Sequence, residues 1–141
     1  SDGQSRATHE QAKVWLQAAG GRPDDALDWA RSGLDAQVWH ALPKALARGD
    51  WSLLASWPAA RQLAVLQKLC HDLMAQASGA APRFFPASQL PLAPGWSAMA
   101  QWSKELLDAA RSVEHPFNAG LMQEAWAART RQMLAQQPTK P

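Results

Sequence analysis

Two stretches of the sequence place reactive side chain types next to one another. In "LQKLCHDLM" a thiol, an imidazole and a carboxylate follow in order as Cys70, His71 and Asp72. A cysteine beside a histidine is the raw material of a thiol nucleophile. The spacing argues against it, because neighbours on a helix point about 100° apart and cannot pair with each other. Cys70 also falls on a stripe of leucines, where a thiol is an inert packing group. In "ARSVEHPFNAGLMQEAW" a carboxylate and an imidazole, Glu114 and His115, precede Pro116 and Asn118. The residue before a proline is biased away from helix, and Asn is a good helix cap, so this reads as a corner between two helices. A metal site would need His115 and Glu114 to meet His40 or His71 across the fold. No HExxH and no paired Glu-x-x-His set is present.

Anion chemistry has one weak candidate. "AAGGRP" sets glycines before a helix start, which can hold a phosphate. The chain lacks the Gly-Lys-Ser or Gly-Lys-Thr of a phosphate loop, and Asp24 and Asp25 would repel an anion there. No catalytic residue, cofactor or metal is expected.

The elements that would position these residues are helical throughout. Thr8 to Gly20 has a capping box, and Pro23 opens a short helix with Asp24 and Asp25 in its first turn. Leu34 to Arg48 carries Val38, Leu42 and Leu46 on one face with Trp39 beside them, and Pro43 should kink or split it. Trp51 to Trp57 reads as a short helix. Pro58 to Ser78 is the strongest helix, with Leu63, Leu66, Leu69, Cys70, Leu73, Met74 and Ala77 in a continuous stripe before Gly79. Residues 79–95 hold four prolines and form a loop, read as packed over the bundle through Phe84, Phe85, Leu90 and Leu92. Trp96 to Ser112, with Met99, Trp102, Leu106, Leu107 and Ala110, and about Asn118 to Gln136 complete the set. The predicted fold is an all-α bundle of about five helices over 34–136. Residues 1–31 form a separate N-terminal piece, and 137–141 a disordered tail.

The chain has 141 residues, of which 47% are apolar and only 18% charged, with a net charge of +2. That supplies one core and a weakly charged surface suited to resting against a partner. No basic run supports nucleic-acid binding. A single cysteine excludes an internal disulfide, and no apolar run reaches the roughly 18 residues of a membrane span. The opening "SDGQSRA" reads as a flexible end of a piece from a longer protein. Eight tryptophans exceed the ordinary needs of one small core, so some are expected at an interface. The interface candidates are Trp51 and Trp57 with Arg61, the Arg83-Phe84-Phe85 segment, and Trp126 with Arg129.

"LQKLCHDLMAQASGAAPRFF" and, one helix later, "ARSVEHPFNAGLMQEAW" resemble the C-terminal part of the delta-prime family of clamp-loader subunits in bacterial DNA polymerase III. "GGRPDDALDWARSGLDAQVW" resembles the family's join between the AAA+ lid and the C-terminal domain, and the likeness spans roughly residues 10–135. The resemblance implies that residues to about 31 are the tail of the lid. The rest would be the helical collar domain that assembles with other clamp-loader subunits, gamma/tau and delta, in the cytoplasm. DNA and the sliding clamp would be met only through the full complex, part of a DNA-directed DNA polymerase holoenzyme. The implied role is non-catalytic. Where ATPase relatives carry a sensor arginine, this chain has Asp24, with Arg22 in the preceding turn. Two other readings of the residues stand beside it. A nucleic-acid-binding module requires Arg48, Arg61, Lys68, Arg83, Arg111, Arg129 and Arg131 on one face. A small metal protein or enzyme would centre on His71 and His115.

Overall fold

The computed structural model describes residues 13, 16, 36–113 and 119–135. Among them the chain is all-helical: α1 is Ala36–Ala47, α2 is Ala59–Ala77, α3 is Trp96–Ala110 and α4 is Ala119–Ala135, with a 3-10 turn at Ala87–Gln89. That is the expected helical bundle, seen here in four helices. Apart from residues 13 and 16, the N-terminal piece to about residue 31 lies outside the described residues, as do the corner at Glu114-His115 and the expected tail at 137–141.

Helix α2 is the centre of the bundle because its apolar positions recur every three or four residues. Leu63, Val65, Leu66, Leu69, Cys70 and Leu73 are all buried. Pro58 starts the helix: its extended backbone leaves its carbonyl to accept the N–H groups of Arg61 and Gln62 at 2.9 and 3.0 Å. Gly79 ends it at φ +86°, with Ala80 N–H donating to Ala75 O at 2.8 Å and Gly79 N–H to Gln76 O at 3.1 Å. Those two bonds are the Schellman pattern, which satisfies carbonyls that the last turn would otherwise leave open.

Helix α3 packs mainly on α2, and α1 packs on α4, which also touches α2. The core joins Trp39, Leu42 and Leu46 of α1 to the leucines of α2, then to Met99, Trp102 and Leu106 of α3 and Met133 of α4. Trp39 is fully buried, so it is the middle of α1's packed face and not a flank of it. Pro43 lies inside α1, buried, and does not split the helix. The proline ring nitrogen has no hydrogen to donate within the helix, and the surrounding turns carry the helix through it.

Two expectations need correction. Trp51 to Trp57 is a run of turns, closed by Leu54 N–H to Trp51 O and Trp57 N–H to Leu54 O, both at 2.9 Å. Asp50 starts this run by accepting from the Ser52 hydroxyl at 2.6 Å and from its N–H at 3.0 Å. The two bonds hold its carboxyl below the ordinary value. Pro58 then stops any helix from continuing. Leu107 is 60% exposed and not part of the packed stripe, and the stripes also end short of Ala77 on α2 and Ala110 on α3, both exposed. Met99, Trp102 and Leu106 use the inward face, and Leu107 is turned about 100° past it.

Gly49 ends α1 as Gly79 ends α2, at φ +82°. It has a second constraint, because a Cβ there would come within 2.7 Å of the Cδ of Arg131 on α4. The arginine stem lies directly across the turn, tying the last helix to the end of the first. Gly49→Ala is expected to lower stability by about 1–2 kcal/mol from the left-handed backbone alone. Urea unfolding followed by circular dichroism reads this directly. The same change at Gly79, where a Cβ meets nothing within 4 Å, should cost less.

Candidate functional site

The most heavily bonded polar group in the described fold is the carboxylate of Asp72. It is fully buried on α2. Its Oδ1 accepts the backbone N–H of Arg83 at 2.8 Å, and its Oδ2 accepts those of Phe84 at 2.8 Å and Phe85 at 2.7 Å. His71 Nδ1 lies 3.2 Å from Oδ1. The sequence explains why three consecutive donors converge here. Pro82 and Pro86 flank the segment and have no N–H, so residues 82–86 carry only three backbone donors, and all three go to one side chain. Hydrogen bonds to a charged group contribute about 1.5–3 kcal/mol each, enough together to offset the several kcal/mol of burying a carboxylate.

A second grip acts from α1. Trp39 Nε1–H donates to the carbonyl of Phe84 at 2.9 Å. The Trp39 indole also stacks on the Phe85 ring at 4.4 Å between centroids and 7° between planes. The loop read as packed over the bundle is thus pinned by donors, an acceptor and a ring at one place, but Leu92, also expected to pack it, is 62% exposed. Phe84 points the other way and is half-buried. Lys68 Nζ lies 4.7 Å and Arg83 Cζ 5.7 Å from its ring centre, and the His71 ring meets it edge-on at 5.3 Å. That makes a small cationic rim around one aromatic face.

The remaining candidates fall in different places. Phe85 is fully buried and Trp126 is 8% exposed, so both act as core residues. Arg129 is held by its own chain, with Nε donating to Glu105 Oε2 at 2.9 Å, Nη2 to Oε1 at 3.1 Å and Nη1 to Gln132 Oε1 at 3.1 Å. This bidentate pair bridges α3 and α4 over a cleft of about 300 Å³ lined by Trp102, Leu106 and Trp126. Trp51, Trp57 and Arg61 are half-buried at the start of α2. The Trp57 carbonyl accepts from Gln62 Nε2 at 2.8 Å. Among the described residues, Trp51 Nε1, Gln62 Oε1 and Thr130 Oγ1 are buried without a hydrogen-bond partner. The basic residues sit at several points: Lys68 and Arg83 at Phe84, Arg129 on Glu105, and Arg131 across Gly49.

The reactive types do not form a catalytic set among the described residues. Cys70 is 2% exposed and its thiol faces the Met99 carbonyl at 3.7 Å. Burial pushes its pKa up to about 11. His71 Nδ1 lies beside Asp72 Oδ1 and its ring against Phe84, while the thiol faces the Met99 carbonyl, so the contact His71 does make is with its other helical neighbour, which spacing alone did not suggest. No three His, Cys, Asp or Glu side chains gather as a metal would need, His115 lying outside the described residues. No described helix is long and apolar enough to cross a membrane.

Sequence reasoning missed Asp72 as the clamp. The signal was present, since Asp72 falls three residues after Leu69 and seven after Val65 on a buried face, with a proline-bounded donor run eleven residues on. It also missed Trp96, which is 54% exposed, while Trp39 and Trp102 are buried. Comparison with family models, curated proteins and solved structures gives no match.

Two outcomes are expected. Asp72→Asn replaces one acceptor oxygen with an amide that faces a backbone donor, and should cost on the order of 3 kcal/mol in denaturant titration. His71→Ala, at a half-exposed side chain, should cost much less. Cys70 should resist a thiol-reactive disulfide reagent at pH 8 until denaturant opens the fold. The thiol's ordinary value of 9.0 in the unfolded chain lies below about 11 in the folded one. Stability from this residue is therefore fully present below pH 9 and lost as pH rises toward 11, and Cys70→Ala should remove that slope.

Proposed function

We propose that this chain is a non-catalytic assembly module of the clamp-loader collar type, from a delta-prime-like subunit of bacterial DNA polymerase III acting in the cytoplasm. One observation carries the reading. The stretch that resembles that family, "LQKLCHDLMAQASGAAPRFF", forms one packed unit in which Asp72 holds the loop at Arg83, Phe84 and Phe85. Its buried carboxylate serves architecture, while Lys68 and Arg83 stand over the Phe84 ring. A rigid helical body with weak surface charge suits packing against like bodies. In this reading the neighbours are the helical domains of gamma/tau and delta, and contact with the sliding clamp and primed DNA comes only through the whole complex.

Of the interface candidates, the half-buried Phe84 with Arg83, and Trp51, Trp57 and Arg61, keep surface for a neighbour. Phe85 and Trp126 would act indirectly by holding the scaffold. The test is size-exclusion chromatography with light scattering of the chain mixed with gamma/tau and delta subunits, without full-length delta-prime. Co-elution in a defined stoichiometry is expected, with Asp72→Asn weakening it through the displaced loop. A chain that elutes unchanged beside those subunits overturns the proposal.

A further inference from the structure

We propose that the cleft between α3 and α4 is a binding site for a small, neutral, planar ring that carries a carboxamide, in which a C=O and an N–H sit side by side. The cleft holds about 300 Å³ and is lined by Trp102, Glu105 and Leu106 of α3 and Ala125, Trp126 and Arg129 of α4. That is the lower end of the roughly 300–1,000 Å³ of ligand sites, room for one ring and a short substituent. The apolar walls are two indoles, a leucine and an alanine, so an aromatic guest gains both burial and ring contact.

The polar groups of the lining narrow the guest further. Among the described residues, neither the Trp102 nor the Trp126 indole N–H has an acceptor. Neither is sealed from solvent, as the Trp51 N–H is. Trp102 is 1% exposed and Trp126 8%, so the little surface that each keeps includes its N–H, and the cleft is the opening they share. An indole N–H donates and never accepts, so the guest must bring an acceptor.

Glu105 and Arg129 add a second requirement. The guanidinium gives its Nε–H and one Nη2–H to the carboxylate, and one Nη1–H to Gln132. Of the five N–H groups of a guanidinium, one therefore remains on each Nη nitrogen. Each Glu105 oxygen takes one of those bonds and keeps a lone pair. The lining thus offers donors and an acceptor together, which a carboxamide answers with its C=O and its NH2. The two charges cancel within the pair, so a charged guest would have to break a bidentate contact to find a counterion. A neutral guest leaves it intact. The larger groove at the end of α2, with Gln76, Leu90, Leu92 and Pro94 in its wall, has no charged side chain and lacks this selectivity.

Titration of the 15N-labelled full chain with benzamide, read from the indole N–H cross-peaks, tests the proposal. The peaks missing from the Trp102→Phe and Trp126→Phe spectra identify the two rings. Both should move in a saturable way, with a Kd on the order of 1 mM for so small a molecule. The peak of Trp96, 54% exposed on the first turn of α3, should stay in place. Benzoate, the same shape with a negative charge, should bind about tenfold more weakly, the cost of one charge-assisted bond. Acetophenone, which keeps the C=O but has no N–H, should bind several-fold more weakly. Ala125 is exposed, so Ala125→Leu can fill the cleft without entering the core. It should abolish the shifts and leave the melting curve unchanged. Indole peaks that stay fixed up to about 20 mM benzamide overturn the proposal. So does binding in which benzoate or acetophenone matches benzamide, and so do shifts that survive Ala125→Leu.

Discussion

A single buried carboxylate organises the long proline-rich connection of this bundle. Four helices can pack by matching apolar faces, but a loop with this many prolines has few backbone donors and no ladder to join. Asp72 resolves the problem by accepting the three donors that Arg83, Phe84 and Phe85 retain. The carboxylate in turn is tolerable in an apolar core only because those donors replace its water. Each side of the bargain is unstable without the other. The ring of Phe85 then fills the space against Trp39, and the Trp39 N–H satisfies the Phe84 carbonyl. Position 72 therefore sets where the loop lies and, through Trp39, how α1 meets that loop.

Much of this architecture was legible from local pattern. The leucine spacing of α2, the glycines at its end and at the end of α1, and the packing of the 79–95 loop all follow from periodicity and turn chemistry. What was not legible depended on partners distant in sequence. Asp72 looks like one polar residue among many until Arg83, Phe84 and Phe85 are known to sit above it. Arg129 reads as an interface cation until Glu105 is found opposite it. Leu107 and Trp96 share apolar character with their buried neighbours, and only the inward direction of Met99 and Trp102 separates them. The turns at Trp51 to Trp57 show the same limit, for apolar content alone cannot tell a short helix from a string of turns.

The distribution of charge has its own logic. With few ionisable side chains, the fold uses several in contacts of its own: Glu105 paired with Arg129 between α3 and α4, the Arg131 stem packed across Gly49, and Lys68 and Arg83 over the Phe84 ring. The end of the bundle near Trp96 is left with apolar rings, prolines and an uncharged groove. Internal electrostatics and an apolar outer end are two results of the same scarcity.

The contact between Arg131 and the Gly49 turn has a consequence for synthesis. Helix α1 emerges from the ribosome early, yet its turn is completed by a side chain from α4 and its tryptophan by the ring of Phe85. Neither partner exists when α1 is made. Helix α1 is synthesised before both, so its tryptophan gains its ring partner with the loop and its terminal turn gains its arginine only with α4. The end of α1 is thus completed across a long stretch of chain, by a contact of high sequence separation that local helix formation does not supply.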